Sequence, residues 1–190
     1  AIPSDTFVEV TGRADLVGDT IGSSAKLTTA VLESALGGVL FIDEAYTLYK
    51  SHSNQFAEEA VDAILTFMEN HREEIVVVFA GYGEQMQDLL GMNPGLRSRV
   101  TNRFDFEDFT PAEVAEIGYR ELLHGDHTVD EQLYRRVVAT EYGRTTDRSN
   151  GRWVRNFNQE LITTLAERVL DSPDEVDISH ITNADLHAVT

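Results

Sequence analysis

The sequence predicts an α/β domain, a parallel sheet flanked by helices on both faces, followed by a small all-α domain. Three observations carry this. Val39–Ile42 and Ile75–Ala80 are continuous apolar runs, too short for buried helices and bounded by glycine or acids, as strands of a parallel sheet are. Segments with helical spacing alternate with these runs, the pattern of a parallel sheet with crossover helices. Beyond Pro111 only helical stripes remain. The boundary is placed near Phe109, giving domains 1–108 and 109–190.

Thr6–Val10 reads as a first short strand, rich in β-type residues. Asp15–Ser24 holds two glycines and small polar residues and reads as a loop, with Ser23 or Ser24 capping the next helix. In that helix Leu27, Ala30, Val31, Ser34 and Ala35 recur at helical spacing. The strand Val39–Asp43 follows. Lys50–Asn54 is a polar loop, and the helix after it places Phe56, Ala60, Ile64 and Phe67 on one face. Ile75–Ala80 is a further buried strand. A helix over about Gly83–Leu90 stops at Gly91, Pro94-Gly95 is turn chemistry, and Arg103–Phe106 is a last strand. In the second domain, Thr110 caps and Pro111 opens a helix to about Leu123. Helices follow at about Glu131–Tyr142, Arg152–Leu170 and Asn183–Val189, the third with a stripe of Val154, Phe157, Leu161 and Leu165.

Composition excludes several functions. The formal net charge of -18 repels phosphate backbones and anionic lipid, which argues against nucleic-acid partners and membrane binding. Cysteine is absent, so disulfides and thiolate metal sites are impossible, which fits a reducing compartment. No apolar run approaches a membrane span, and the start Ala1–Phe7 lacks a basic-then-apolar leader pattern; the expectation is a cytoplasmic protein without membrane insertion. There is no internal repeat, nucleophile elbow or zinc-protease helix. His124-Gly125-Asp126-His127 has no evident third ligand and reads as a solvated loop. His52 lies in a polar loop, and His71 follows a helix end, where a cation suits the dipole.

The chemistry concentrates at Asp43-Glu44. Ligands of open α/β sheets bind beyond the carboxyl ends of the strands, where this pair stands. Successive side chains of a strand leave in different directions, so one carboxylate can hold a metal while the other faces a water. Gly37–Ala45, read as Gly-Gly-Val-Leu-Phe-Ile-Asp-Glu-Ala, has the pattern of a Walker B strand.

With this strand, Asp15–Gly22, Val76–Tyr82, Asn93–Arg99, Gly151–Asn156 and Ile181–Leu186 stand in the order of a AAA+ ATPase. The chain resembles in particular the branch that holds red-type Rubisco activase, the type VII secretion ATPases and the stage V sporulation K proteins. The resemblance implies a partial AAA+ parallel sheet with a helical lid, ATP and Mg as cofactors, and hexameric rings that remodel protein clients. It implies that Asp43 holds Mg through a water and that Glu44 polarises the attacking water. Arg97 and Arg99 fall where the family places arginine fingers, with Arg99 preferred. Arg152 falls at the sensor-2 arginine, and Arg155 shares its helix face. Thr20, Ile21 and Gly22 fall at the pore loop.

Two departures accompany the match. The family's pore loop usually has an aromatic where Thr20 stands, so a weakened grip on threaded polypeptide is expected. The sequence also contains no G-x-x-x-x-G-K-[ST]; Lys26 and Lys50, the only lysines, lack the glycines around them. In the family that loop follows strand 1 of a sheet ordered 5-1-4-3-2, and the strands here correspond to 2, 3, 4 and 5. The expectation is a chain that starts after the Walker A loop, inactive alone, with a companion segment supplying the missing strand. A second reading is a non-hydrolysing AAA+-like interaction module that contributes an arginine finger to a partner, and a third is a structural fragment with Asp43 and Glu44 vestigial.

Overall fold

The computed structural model describes residues 4–49, 55–171 and 177–190. The polar loop Lys50–Asn54, with His52, lies outside the described residues. The chain divides into two compact units, Ala1–Asp105 and Phe106–Thr190.

The first unit is built on three parallel strands, β1 (Phe7–Thr11), β2 (Val39–Asp43) and β3 (Val76–Phe79), in the order β1-β2-β3. Thr11 lies opposite Asp43, and Ile42 opposite Phe79. Between them run α1 (Gly12–Leu16), α2 (Ser23–Ser34) and α3 (Gln55–Asn70); α4 (Gly83–Met92) and α5 (Pro94–Arg99) follow β3. Leu40 and Ile42 of β2 are fully buried against Leu16, Leu32, Ala60 and Ile64. Burying aliphatic side chains of this size contributes roughly 1.5–3 kcal/mol each, so β2 anchors the unit.

The structure corrects several expectations. Arg103–Phe106 is not a strand: Phe104 and Phe106 are exposed, and Arg103 pairs locally with Asp105 at 2.7 Å. A strand needs a hydrogen-bonded neighbour, and no described strand lies beside this segment. β3 is not buried on both faces. Val76 and Val78 are 42% and 36% exposed, while Val77 and Phe79 pack on the core. The inward stripe of α2 is Ser24, Thr28, Leu32 and Ala35, and Leu27, Ala30 and Ser34 face out. Polar residues hold these inner positions because each finds a partner: Thr28 donates to the Leu16 carbonyl, and Ser24 Oγ accepts the Gly18 N–H. Neither Ser23 nor Ser24 caps α2, whose N-cap is Gly22. α4 runs through Gly91 to Met92. Pro94-Gly95 opens a helix, because Asn93 accepts the Gly95 N–H at 2.7 Å and Pro94 needs no donor in a first turn.

The second unit holds α6 (Pro111–His124), α7 (Glu131–Arg144), α8 (Gly151–Leu170) and α9 (Asn183–Ala188). Thr110 and Glu113 form the capping box that starts α6. Val154, Phe157, Leu161 and Leu165 of α8 are buried against Val114, Leu122, Tyr134 and Val138, as their spacing predicts. Asn158 crosses this apolar core. It accepts from the Tyr134 hydroxyl and donates to the Gly118 carbonyl and the Glu121 carboxylate.

Candidate functional site

The carboxyl end of β2 is shaped by one residue. Glu44 takes a left-handed conformation, φ 47° and ψ 36°, which turns the chain directly into a 3-10 helix, Ala45–Leu48. Sheet bonding forces that turn: the Ala80 N–H donates to the Ile42 carbonyl, and the Ala45 N–H donates to the Ala80 carbonyl, both at 2.9 Å. Ala45, Tyr46 and Leu48 then go into the core, and Asp43 and Glu44 are left exposed at the strand end. Asp43 Oδ1 accepts the Glu44 N–H at 2.8 Å, and its second oxygen has no hydrogen-bond partner among the described residues.

Gly12 packs against the turn from below. A methyl there would lie 2.3 Å from Thr47 Oγ1 and 2.7 Å from the Glu44 carbonyl oxygen, so only glycine fits. The adjoining Arg13 N–H donates to Thr47 Oγ1. Beneath the acids, burial raises the Tyr46 phenol pKa, and Glu44, Tyr82 and Asp43 add to the rise. Tyr46 therefore stays neutral beside the two carboxylates. Two hollows, of about 420 Å³ beside Trp153 and about 500 Å³ between α2 and α3, do not include Asp43 or Glu44.

The two arginines of α5 differ. Arg97 is exposed, and its guanidinium has no partner among the described residues. Arg99 is half-buried, paired with Glu69 of α3 at 2.8 Å and donating to the Gly95 carbonyl. Glu69 also holds Arg72 at 2.7 Å, and the hydrogen bonds from Arg72 and then Arg99 keep its carboxyl below the usual range.

In the helical unit Arg152 is exposed in the first turn of α8 and makes no ion pair with a described residue. Arg155, on the same helix, is tied to Glu121 at 3.2 Å. Asn150, not singled out by the sequence, organises this end. Its amide accepts from the Phe109 N–H and the Tyr142 hydroxyl and donates to Asp108 and the Arg148 carbonyl. Its partner Asp108 lies 42 residues away in the chain, so no local pattern announces it.

Thr20, Ile21 and Gly22 form one exposed turn before α2. Ile21 is 79% exposed, and Gly22 has φ 77°. Thr20 is held by Ser23, whose hydroxyl accepts the Thr20 N–H and donates to the Thr20 carbonyl. The Gly22 N–H donates to Glu59 of α3 at 3.0 Å. In the His124–His127 loop, His127 Nδ1 lies 2.6 Å from the Gly125 carbonyl, and no cluster of three metal-binding side chains occurs among the described residues. His71 stacks on Phe67 and lies 3.3 Å from Glu74. No helix among the described residues is long and apolar enough to cross a membrane.

A parallel sheet whose central strand ends in an exposed Asp-Glu pair, joined in sequence to an all-α unit, defines the class: an α/β module with paired acids at the carboxyl end of its central strand. Residues 4–108 match the ATPase family associated with various cellular activities (AAA), and the chain belongs to that family. A Protein CfxQ homolog of Guillardia theta is 39% identical over 184 residues, covering 92% of this chain and 59% of that protein. The chloroplastic ribulose bisphosphate carboxylase/oxygenase activase of Cyanidioschyzon merolae is 37% identical over 170 residues, covering 85% of this chain and 56% of that protein. The FIGL-1 AAA domain, solved in complex with ADP, superposes with a TM-score of 0.68 at 21% identity, covering 94% of this chain and 60% of that one; the likeness is one of fold. The chain spans less than two thirds of the length of these relatives.

Proposed function

We propose that this chain is the carboxy-terminal portion of a cytoplasmic AAA+ ATPase that couples ATP hydrolysis to remodelling of protein partners from a hexameric ring, in which a neighbouring subunit supplies the finger. One observation carries the reading: the left-handed turn at Glu44 leaves Asp43 and Glu44 together and exposed at the end of the central strand. Mg suits that end, since this ion keeps most of its waters and takes one or two carboxylates together with substrate phosphates, and Asp43 has an oxygen to offer. Bound Mg-ATP would supply the reacting phosphoryl group. Glu44 would orient the attacking water and accept its proton.

Arg97 is the finger we favour, because its guanidinium is uncommitted whereas Arg99 is held by Glu69. It would act on a neighbouring subunit's nucleotide, stabilising charge on the transferring group. Arg152 and Arg155 are both assigned to nucleotide contact, Arg155 being the one already paired, with Glu121. Ile21, at the apex of the Thr20–Gly22 turn, offers clients an apolar contact that Thr20 does not.

The 190-residue chain alone is proposed to be inactive, since its sequence carries no phosphate-cradling loop. The outer edge of β3 has no described strand beside it and supports a companion strand seated there. The uncommitted Arg97 equally favours a second reading, in which the chain contributes a finger to an intact partner without hydrolysing ATP itself.

Calorimetry of the purified chain with Mg-ATP should show no micromolar binding, and a segment carrying the missing strand and loop should restore it. Glu44→Gln in the restored protein should bind ATP and fail to turn it over. Micromolar binding by the chain alone would refute its inactivity, and full turnover by Glu44→Gln would refute the role of Glu44.

A further inference from the structure

The start of α2 lacks the groups that usually satisfy a helix end. Its N-cap is Gly22, which has no side chain to accept the first amides. Its third residue is Ala25, so the reciprocal bond of a capping box, from an N3 glutamate or glutamine back to the N-cap N–H, is impossible. The acceptor comes from another helix instead. Glu59, in the second turn of α3, reaches across and takes the Gly22 N–H at 3.0 Å. A carboxylate at that place also faces the positive end of the α2 dipole.

The neighbouring amides follow the same scheme. Gly18 N–H is accepted by Ser24 Oγ at 3.1 Å, and Thr20 N–H by Ser23 Oγ at 3.1 Å. Alternate amides of the turn, those of Gly18, Thr20 and Gly22, are thus each taken by a side chain. Ile21 stands between two of the anchored residues with its side chain out. Two of the three acceptors are local serines. Ser23 and Ser24 belong to α2 itself, so among the described residues Glu59 is the side chain that ties the turn to a different helix, α3.

We propose that Glu59 is the positioning residue of the Thr20–Gly22 turn: its carboxylate caps α2 from α3 and holds Ile21 in a fixed outward presentation. A loop ordered beforehand loses less conformational freedom when it engages a ligand, so a clamped Ile21 grips at lower cost than a loose one. That the ligand is a protein client rests on the functional reading above; the clamp itself does not.

The clamp is read by hydrogen exchange of the Gly22 amide, followed by NMR in the 190-residue chain. Glu59→Ala should speed that exchange about tenfold or more, the worth of a hydrogen bond to a charged acceptor. Glu59→Gln keeps an acceptor of the same reach and should recover most of the protection. The Leu40 and Ile42 amides of β2 should be unchanged, which separates loss of the clamp from general unfolding. A Gly22 amide that exchanges equally fast in the unaltered chain and in Glu59→Ala overturns the proposal, as does a Glu59→Gln chain no better protected than Glu59→Ala. In a ring-competent protein, Glu59→Ala should raise the client concentration for half-maximal stimulation several-fold more than it lowers maximal turnover; an equal fall in both overturns the positioning role. Ile21→Ala, which leaves the clamp intact, tests the client reading separately. Gly22 protection by Glu59, together with client stimulation indifferent to Ile21→Ala, upholds the clamp and removes the client reading.

Discussion

The Glu69 carboxylate of α3 holds the Arg99 guanidinium at 2.8 Å. That pairing separates the two arginines of α5. In a ring-competent protein, Arg97→Ala should lower ATP turnover by about 10³-fold or more, within the range known for arginine fingers. Arg99→Ala should lower turnover far less and should loosen the contact of α5 with α3. Mixing Arg97→Ala subunits with Glu44→Gln subunits should restore part of the activity, since some interfaces then pair an intact acid with an intact finger. No recovery in rings shown to be mixed would count against a finger acting between subunits.

Ile21 and Thr20 make opposite predictions. Ile21→Ala removes the exposed apolar apex of the turn and should reduce client-stimulated turnover several-fold. Thr20→Tyr adds aromatic contact area and should increase it. Client stimulation that responds to neither substitution would remove this turn from client contact.

Asn158 supports the helical unit from inside. Asn158→Ala strands the buried Tyr134 hydroxyl, takes the second bond from the helical Gly118 carbonyl, and should cost about 2–3 kcal/mol in urea unfolding of this unit. Tyr134→Phe removes one partner and leaves the amide its other bonds, so about 1 kcal/mol is expected. Equal costs for the two would show that the amide is not the hub of the network.

Asp185 gives the helical unit an acid sensitivity. It is buried, which by itself raises its pKa. The hydrogen bonds from Arg168 and from the Thr182 N–H and hydroxyl outweigh burial and leave the pKa below the ordinary value. The folded pKa lies below the unfolded one, so the stabilisation is complete above about pH 4 and is lost as pH falls through the folded value. Asp185→Asn should be less stable than the unaltered chain at neutral pH, and the gap should narrow below about pH 4. A gap that stays constant from pH 7 to pH 3 would show that the charge contributes nothing.

β2 and α8 were legible because their inward residues are apolar and their spacing matches one period each, as with Leu40 and Ile42, or Val154, Phe157, Leu161 and Leu165. The face of α2 was not, because Ser24 and Thr28 point inward, and they do so only because partners at Gly18 and Leu16 await them. α5 was hidden because Pro94-Gly95 suits a turn and a helix start equally; the choice depends on the Asn93 cap. Asp43-Glu44 could be read as a pair at a strand end, but the left-handed turn that exposes it follows from bonds to Ala80, on another strand's end. Glu59 and Glu69 carried no local signal, since the first meets a residue 37 positions away and the second one 30 away.

The left-handed backbone of Glu44 sets a trap for anyone making this protein hardier. A non-glycine residue held there costs on the order of 1 kcal/mol, and Glu44→Gly would relieve it. A stability screen would select that variant, and with it a chain stripped of the carboxylate assigned to the attacking water. Thermal tolerance and the catalytic role proposed for Glu44 would therefore compete at a single backbone angle.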